Sequence, residues 1–129
     1  VHGGAVAREA FARAGIVAVE QGEPVIAHTV DRFRVARDHL VAGLNALPGI
    51  ECALPGGAMY AFFRVDGMND SLAFCKRLVA EAGLGLAPGI AFGPEGEGFV
   101  RWCFASDTQR LDLGLERLAG ALPRLRVAA

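Results

Sequence analysis

Apolar residues return every three to four positions between Val6 and Gln21. Val6, Ala10, Phe11, Ala14, Val17 and Ala18 make one broad stripe without an internal proline, and that spacing predicts a helix. Gly22 and Pro24 break the pattern. A second stripe, Val30, Phe33, Arg37, Leu40, Leu44 and Leu47, predicts a long helix over residues 25–47 that the Pro48-Gly49 pair ends. Asp31, Arg32, Arg34 and Asp38 fall mostly on its other side. A short apolar segment, Ile50 to Ala53, precedes the turn Pro55-Gly56-Gly57. Met59 to Val65, aromatic-rich and bounded by glycines, predicts a buried strand. After a turn at 67–70, with Asn69, Asp70 or Ser71 as candidate caps, residues 72–82 predict a helix. It carries Leu72, Cys75, Leu78, Val79 and Ala82 on one side and stops at Gly83.

Leu84 to Ala87 is short and strand-like, and the glycines and prolines crowded into positions 88–98 require a loop. Phe99 to Ala105 predicts a second convincing strand. Ser106 and Gln109 have capping-box spacing, with Asp107 adding charge, ahead of a helix striped by Leu111, Leu115, Leu118 and Leu122 and closed by Pro123. The order helix, helix, strand, strand, helix, strand, strand, helix describes an α/β chain (an α+β-like small domain), with helices packed on a small mixed sheet.

At 129 residues, 53% of them apolar and 21% charged, the chain has the size of one domain and is not disordered, collagen-like or coiled-coil. A net charge of -1 and a pI near 6.3 leave no basic footprint for a nucleic-acid partner. No apolar run approaches the ~18 residues of a membrane span. A signal peptide is not expected either, because Arg8, Glu9 and Arg13 interrupt the apolar stretch from Val1 to Glu20. Cys52, Cys75 and Cys103 are an odd count with no close pair, each among apolar neighbours. They read as small buried thiols in a reducing cytoplasm. The histidines His2, His28 and His39 lie away from the cysteines, and His28 and His39 are about three helical turns apart, so no metal site is expected. A cysteine nucleophile lacks an identifiable histidine partner.

Arg101 is the strongest single candidate for chemistry. It lies in Phe99-Val100-Arg101-Trp102-Cys103-Phe104, among apolar and aromatic neighbours. A guanidinium stays protonated, so one that is buried needs an anion, and its planar fork fits a carboxylate. An edge-strand arginine turned to water, or one paired with an internal Asp or Glu, fits the same pattern. Arg64, in Phe62-Phe63-Arg64-Val65, has a similar setting. The loop Pro88-Gly89-Ile90-Ala91-Phe92-Gly93-Pro94 lacks the lysine and hydroxyl of a phosphate cradle and reads as a rigid turn that brings backbone close to another surface. The chain has one lysine, Lys76, against twelve arginines, and its mid-helix position reads as solvated surface.

Four segments resemble class I/II aminotransferases, fold-type-I pyridoxal-phosphate enzymes. Leu54-Pro55-Gly56-Gly57-Ala58-Met59-Tyr60-Ala61-Phe62 is similar to their P-x-G-G/A-F/M-Y/F-x-F segment, and Pro88-Gly89-Ile90-Ala91-Phe92-Gly93 to their P-G-x-x-F-G turn. Glu97-Gly98-Phe99-Val100-Arg101-Trp102-Cys103-Phe104-Ala105 resembles their G-x-G-Y/F-V/I-R-L/I-x-F/Y-A strand. Phe33-Arg34-Val35-Ala36-Arg37-Asp38 is similar to a stretch on the helix that links the family's two domains. They stand in the family's order across residues 25–122.

The resemblance implies the C-terminal small domain of such an enzyme, with residues 1–22 a helix remnant of an upstream large domain and residues 23–129 the small domain. It implies that Arg101 binds the substrate α-carboxylate, whereas Arg64 matches no functional position. The full enzyme would use pyridoxal 5'-phosphate to move an amino group between an amino acid and a 2-oxo acid, as a cytoplasmic homodimer. The Schiff-base lysine is expected upstream, since Lys76 stands in the wrong element, and Val1 to Ala5 departs from the family pattern. No catalytic or cofactor-binding residue is therefore expected in this chain, which should be inactive alone. The excess of apolar residues fits a surface that closes on the large domain. Two alternatives are a stand-alone α/β interaction domain without chemistry and part of a related pyridoxal-phosphate enzyme, such as a C–S lyase or an acyl-transferring oxoamine synthase.

Overall fold

The computed structural model describes residues 3–126, so Val1 and His2 lie outside the described residues. Helix α1 spans Gly3–Gln21, and α2 spans Glu23–Asn45. Gly22 alone separates them, and Pro24 falls in the first turn of α2, where a missing N–H leaves no bond unmade. The chain divides into two compact units between Arg32 and Phe33, inside α2. In the first unit the stripe of α1 stands bare: Phe11 is 78% exposed and Val19 87%, with Val6, Ile16 and Val17 also open.

The second unit is built on a four-stranded sheet. Strands β1 (Ile50–Cys52), β2 (Tyr60–Val65), β3 (Ala87–Pro88) and β4 (Phe99–Cys103) lie in the order β1-β2-β4-β3. All three pairings are antiparallel, which corrects the expected mixed sheet. The run from β2 through α3 (Ser71–Ala82) to β3 reads as a parallel strand-helix-strand unit, but β4 returns between those two strands and pairs antiparallel with both.

Strands β2 and β4 alternate. Ala61, Phe63 and Val65 on β2, with Val100 and Trp102 on β4, face a core completed by Leu40 and Leu44 of α2, Leu78 of α3, and Leu111 and Leu118 of α4 (Thr108–Arg126). The strand expected to be buried throughout thus has one buried face, and its other face is free for function. Helix α4 lies close: a Cβ on Gly114 would come within 2.4 Å of the Trp102 indole.

Local signals set the helix ends, with three differences from expectation. Asp70 caps α3 by accepting from Ala73 N at 2.8 Å, and Gly83, at φ +62°, closes it in the left-handed conformation glycine adopts freely. The buried side of α3 keeps Cys75 and Leu78 of the predicted stripe but adds Ser71 and Phe74, while Leu72 and Val79 are 46% and 55% exposed. The helix is rotated because the Ser71 hydroxyl turns inward to accept from Ile90 N. At α4, Asp107 rather than Ser106 is the cap, accepting from Arg110 N at 2.8 Å. Pro123 does not end α4. Leu125 anchors the following turn in the core, and Arg77 donates to the carbonyls of Arg124 and Leu125.

Candidate functional site

The sheet face turned away from the core carries Tyr60, Phe62 and Arg64 on β2 and Phe99, Arg101 and Cys103 on β4. Register places Phe62 opposite Arg101 and Arg64 opposite Phe99. The Phe62 and Phe99 rings stack at 5.0 Å, and Phe92 meets Phe62 edge-on at 6.2 Å. This aromatic surface is open, with Phe62 37% and Phe92 49% exposed.

Phe92 arrives from the loop between β3 and β4, two 3-10 turns over Gly89–Phe92 and Pro94–Gly96. Their backbones cross so closely that a Cβ on Gly89 would sit 1.9 Å from Gly96 O, and one on Gly96 2.1 Å from Gly89 O. The loop is the rigid, close-approach turn its glycines suggest. Glu97 fastens its far end: Oε1 accepts from Ser71 N at 2.7 Å and Gly98 N at 2.9 Å. The amides of Gly98 and Ser71 hold the Glu97 carboxyl below its ordinary range.

Between these walls stands Arg101, half-buried, with its guanidinium carbon 4.3 Å from the Tyr60 ring centre and 4.2 Å from that of Phe92. Two aromatic faces stabilise the cation without using its N–H groups. Among the described residues no carboxylate pairs with Arg101 and no acceptor takes a hydrogen bond from its side chain. Arg64, its look-alike in sequence, pairs with Glu51 at 2.8 Å and Asp66 at 3.2 Å. One arginine is neutralised on the surface, while the other keeps its donor fork free for an anion.

The remaining candidates lie elsewhere. Lys76 is exposed on α3 and His28 on α2, while His39 is half-buried and pairs with Asp112 across from α2 to α4. Cys52 and Cys75 are buried, and burial raises both thiols, Cys75 to about 11. Cys103 is exposed, correcting its expected burial, because its place in the β4 alternation puts it on the open face. Arg37, expected on the apolar stripe of α2, donates to Pro55 O at 3.2 Å and pairs with Asp38, tying the Pro55-Gly56-Gly57 turn to α2. Among the described residues no cluster of His, Cys, Asp and Glu can hold a metal ion, and no helix is long and apolar enough to cross a membrane. A cavity of about 270 Å³ between the 65–70 turn, α3 and Leu125 lies away from Arg101; its Asp66, Asp70 and Arg77 are already engaged by Arg64, Ala73 N and Glu81. Tyr60, Phe92, Ser71 and Glu97 were not singled out by periodicity. Tyr60 is one of several aromatics in its strand segment, and the others depend on contacts distant in the chain.

No family model matches the chain. The LL-diaminopimelate aminotransferase of Oleidesulfovibrio alaskensis is 34% identical over 111 residues, 86% of this chain and 28% of that protein. The aspartate aminotransferase of Musicola paradisiaca is 36% identical over 95 residues, 72% of this chain and 24% of that protein. The crystal structure of the aspartate aminotransferase of Rhizobium meliloti superposes with a TM-score of 0.75 at 31% identity, covering 86% of this chain and 30% of that one. The chain is of aminotransferase type. Its sheet and helices match the C-terminal domain of such proteins, as the four sequence segments imply, and it spans 24% to 30% of the length of these relatives. An aminotransferase cofactor of the pyridoxal-phosphate kind needs an amine for its imine. Lys76, exposed on α3, is the sole lysine, and nothing places it at the Arg101 face. The residues of this chain do not by themselves fit that group.

Proposed function

We propose that this chain is the small, carboxylate-binding domain of a pyridoxal-phosphate-dependent aminotransferase that moves an amino group between an amino acid and a 2-oxo acid. The observation that carries the reading is Arg101, held between Tyr60 and Phe92 with no acid partner among the described residues. Its fork receives the α-carboxylate, which amino-acid and 2-oxo-acid substrates share. The similar proteins are named for aspartate and LL-diaminopimelate, and both of those compounds carry this group.

On this reading residues 1–22 belong to an upstream large domain that holds the cofactor and the Schiff-base lysine, and residues 23–129 form the small domain. The bare apolar stripe of α1 supports that assignment, since such stripes are ordinarily covered. The chain alone is then inactive, and the complete enzyme is a homodimer. The free exposed thiol of Cys103 supports a reducing compartment, the cytoplasm.

The test is Arg101→Lys in the complete polypeptide, with binding of the standard L-amino acids measured by calorimetry. A lysine keeps the charge but loses the bidentate fork and the stacking plane. At a half-buried site that loss is worth about 2 kcal/mol, roughly a 30-fold weaker carboxylate affinity. Unchanged affinity excludes the role.

A further inference from the structure

The walls around Arg101 are held by different means. Tyr60 stands on β2, locked by sheet pairing, whereas Phe92 hangs on the 89–98 loop. That loop is fastened to the first turn of α3 at both ends. Near its start, Ile90 N donates to the Ser71 hydroxyl at 3.2 Å. At its end, one oxygen of Glu97 receives the amides of Ser71 and Gly98. Ser71 is fully buried, and Gly98 O in turn accepts from Val65 N of β2 at 3.1 Å. A single carboxylate therefore joins α3, the loop and the strand that carries Arg101 four residues later. The crossing of Gly89 over Gly96 sets the loop's shape.

We infer that Glu97, through its clasp on Ser71 and Gly98, is a positioning residue that holds Phe92 against Arg101 and so presents the guanidinium fork to the substrate carboxylate. This rests on the carboxylate-binding reading of Arg101. With the clasp open, the loop keeps only the Ile90 N–Ser71 hydroxyl bond to α3, Phe92 is held less firmly over the guanidinium, and the arginine side chain samples more rotamers before it can bind. The loss falls on binding of the carboxylate.

The experiment compares Glu97→Ala, Phe92→Ala, the double variant and Arg101→Lys in the complete polypeptide, using the L-amino acid that the unsubstituted protein binds best. Glu97→Ala is expected to weaken affinity about tenfold and raise KM with little change in kcat. Phe92→Ala should have a similar effect, and the double variant should be no worse than the stronger single one, because the two residues act on one fork. Glu97→Gln keeps an acceptor oxygen and should restore most of the affinity. Amide exchange at Ser71 and Gly98 should quicken in Glu97→Ala and recover in Glu97→Gln. Additive effects of Glu97→Ala and Phe92→Ala, or unchanged affinity in Glu97→Ala, overturn the inference. If Arg101→Lys weakens binding and Glu97→Ala does not, only the positioning role falls; if Arg101→Lys has no effect, the carboxylate reading falls first. Where Glu97→Ala does not fold, the cycle runs with Glu97→Asp, whose shorter side chain draws the carboxylate away from the two amides and whose loss must again be non-additive with Phe92→Ala.

Discussion

Replacing Gly89 with alanine tests whether the crossing of the two 3-10 turns is as tight as the structure shows. The new Cβ would sit 1.9 Å from Gly96 O and 2.5 Å from Phe99 O, both backbone atoms that cannot swing aside as a flexible side chain can. Carrying the Gly96 oxygen out to ordinary contact at 3.4 Å takes a displacement of about 1.5 Å. Glu97 follows Gly96 directly, so that movement strains the bonds from Ser71 N and Gly98 N to its carboxylate. Overpacking of this kind costs about 1–3 kcal/mol, and partial loss of two charge-assisted bonds adds about 1 kcal/mol more. The expected sum is about 3 kcal/mol, on the order of 10 °C in Tm for a domain of this size. Urea unfolding of the 129-residue chain, followed by the fluorescence of its one tryptophan, Trp102, reads the change as a lower midpoint at unchanged slope. Gly56→Ala, where a Cβ meets nothing within 4 Å, is the control. A Gly89→Ala midpoint equal to that of the control would refute the close crossing and the rigid loop built on it.

Gly120→Ala should stabilise the chain by about 1 kcal/mol, because Gly120 is exposed inside α4 with nothing within 4 Å of an added Cβ; calorimetry showing a lower Tm would contradict the helix described there. The thiols should separate cleanly. Under native conditions a maleimide should label Cys103 alone, with Cys52 and Cys75 reacting only after denaturation, as peptide mass mapping would show. The Cys75 thiol is raised from 9.0 to about 11, so its contribution to stability is fully present below pH 9 and is lost as pH rises towards 11, where the unfolded thiol ionises first. Cys75→Ala should flatten that alkaline decline in stability, and an unchanged decline would exclude Cys75 as its source.

The elements were legible because their signals lie within single windows of the chain: the apolar stripes of α2 and α4 and the aromatic-rich apolar runs of β2 and β4. Contacts between windows were not. The face of α3 turned because Ser71 meets Ile90 and Glu97, 19 and 26 residues away. Arg64 and Arg101 look alike in sequence, and they differ because β1 pairing puts Glu51 opposite Arg64 while no such strand residue meets Arg101. Asp107 displaced Ser106 at the start of α4 by a one-residue shift, the scale at which competing caps cannot be ranked from spacing alone. The antiparallel sheet was hidden for a topological reason, since strand-helix-strand order does not reveal which later strand will intervene.

Strand β4 lies inside the sheet, with Phe62 of β2 across from Arg101 on one side and Ala87 of β3 on the other. The main chain beneath the guanidinium is therefore clamped from both flanks and opens only when the sheet itself comes apart. On the carboxylate-binding reading, the sheet fixes where the guanidinium starts, so adjustment to anions of different size must come from the arginine side chain and what lies above it, and not from the backbone that carries it.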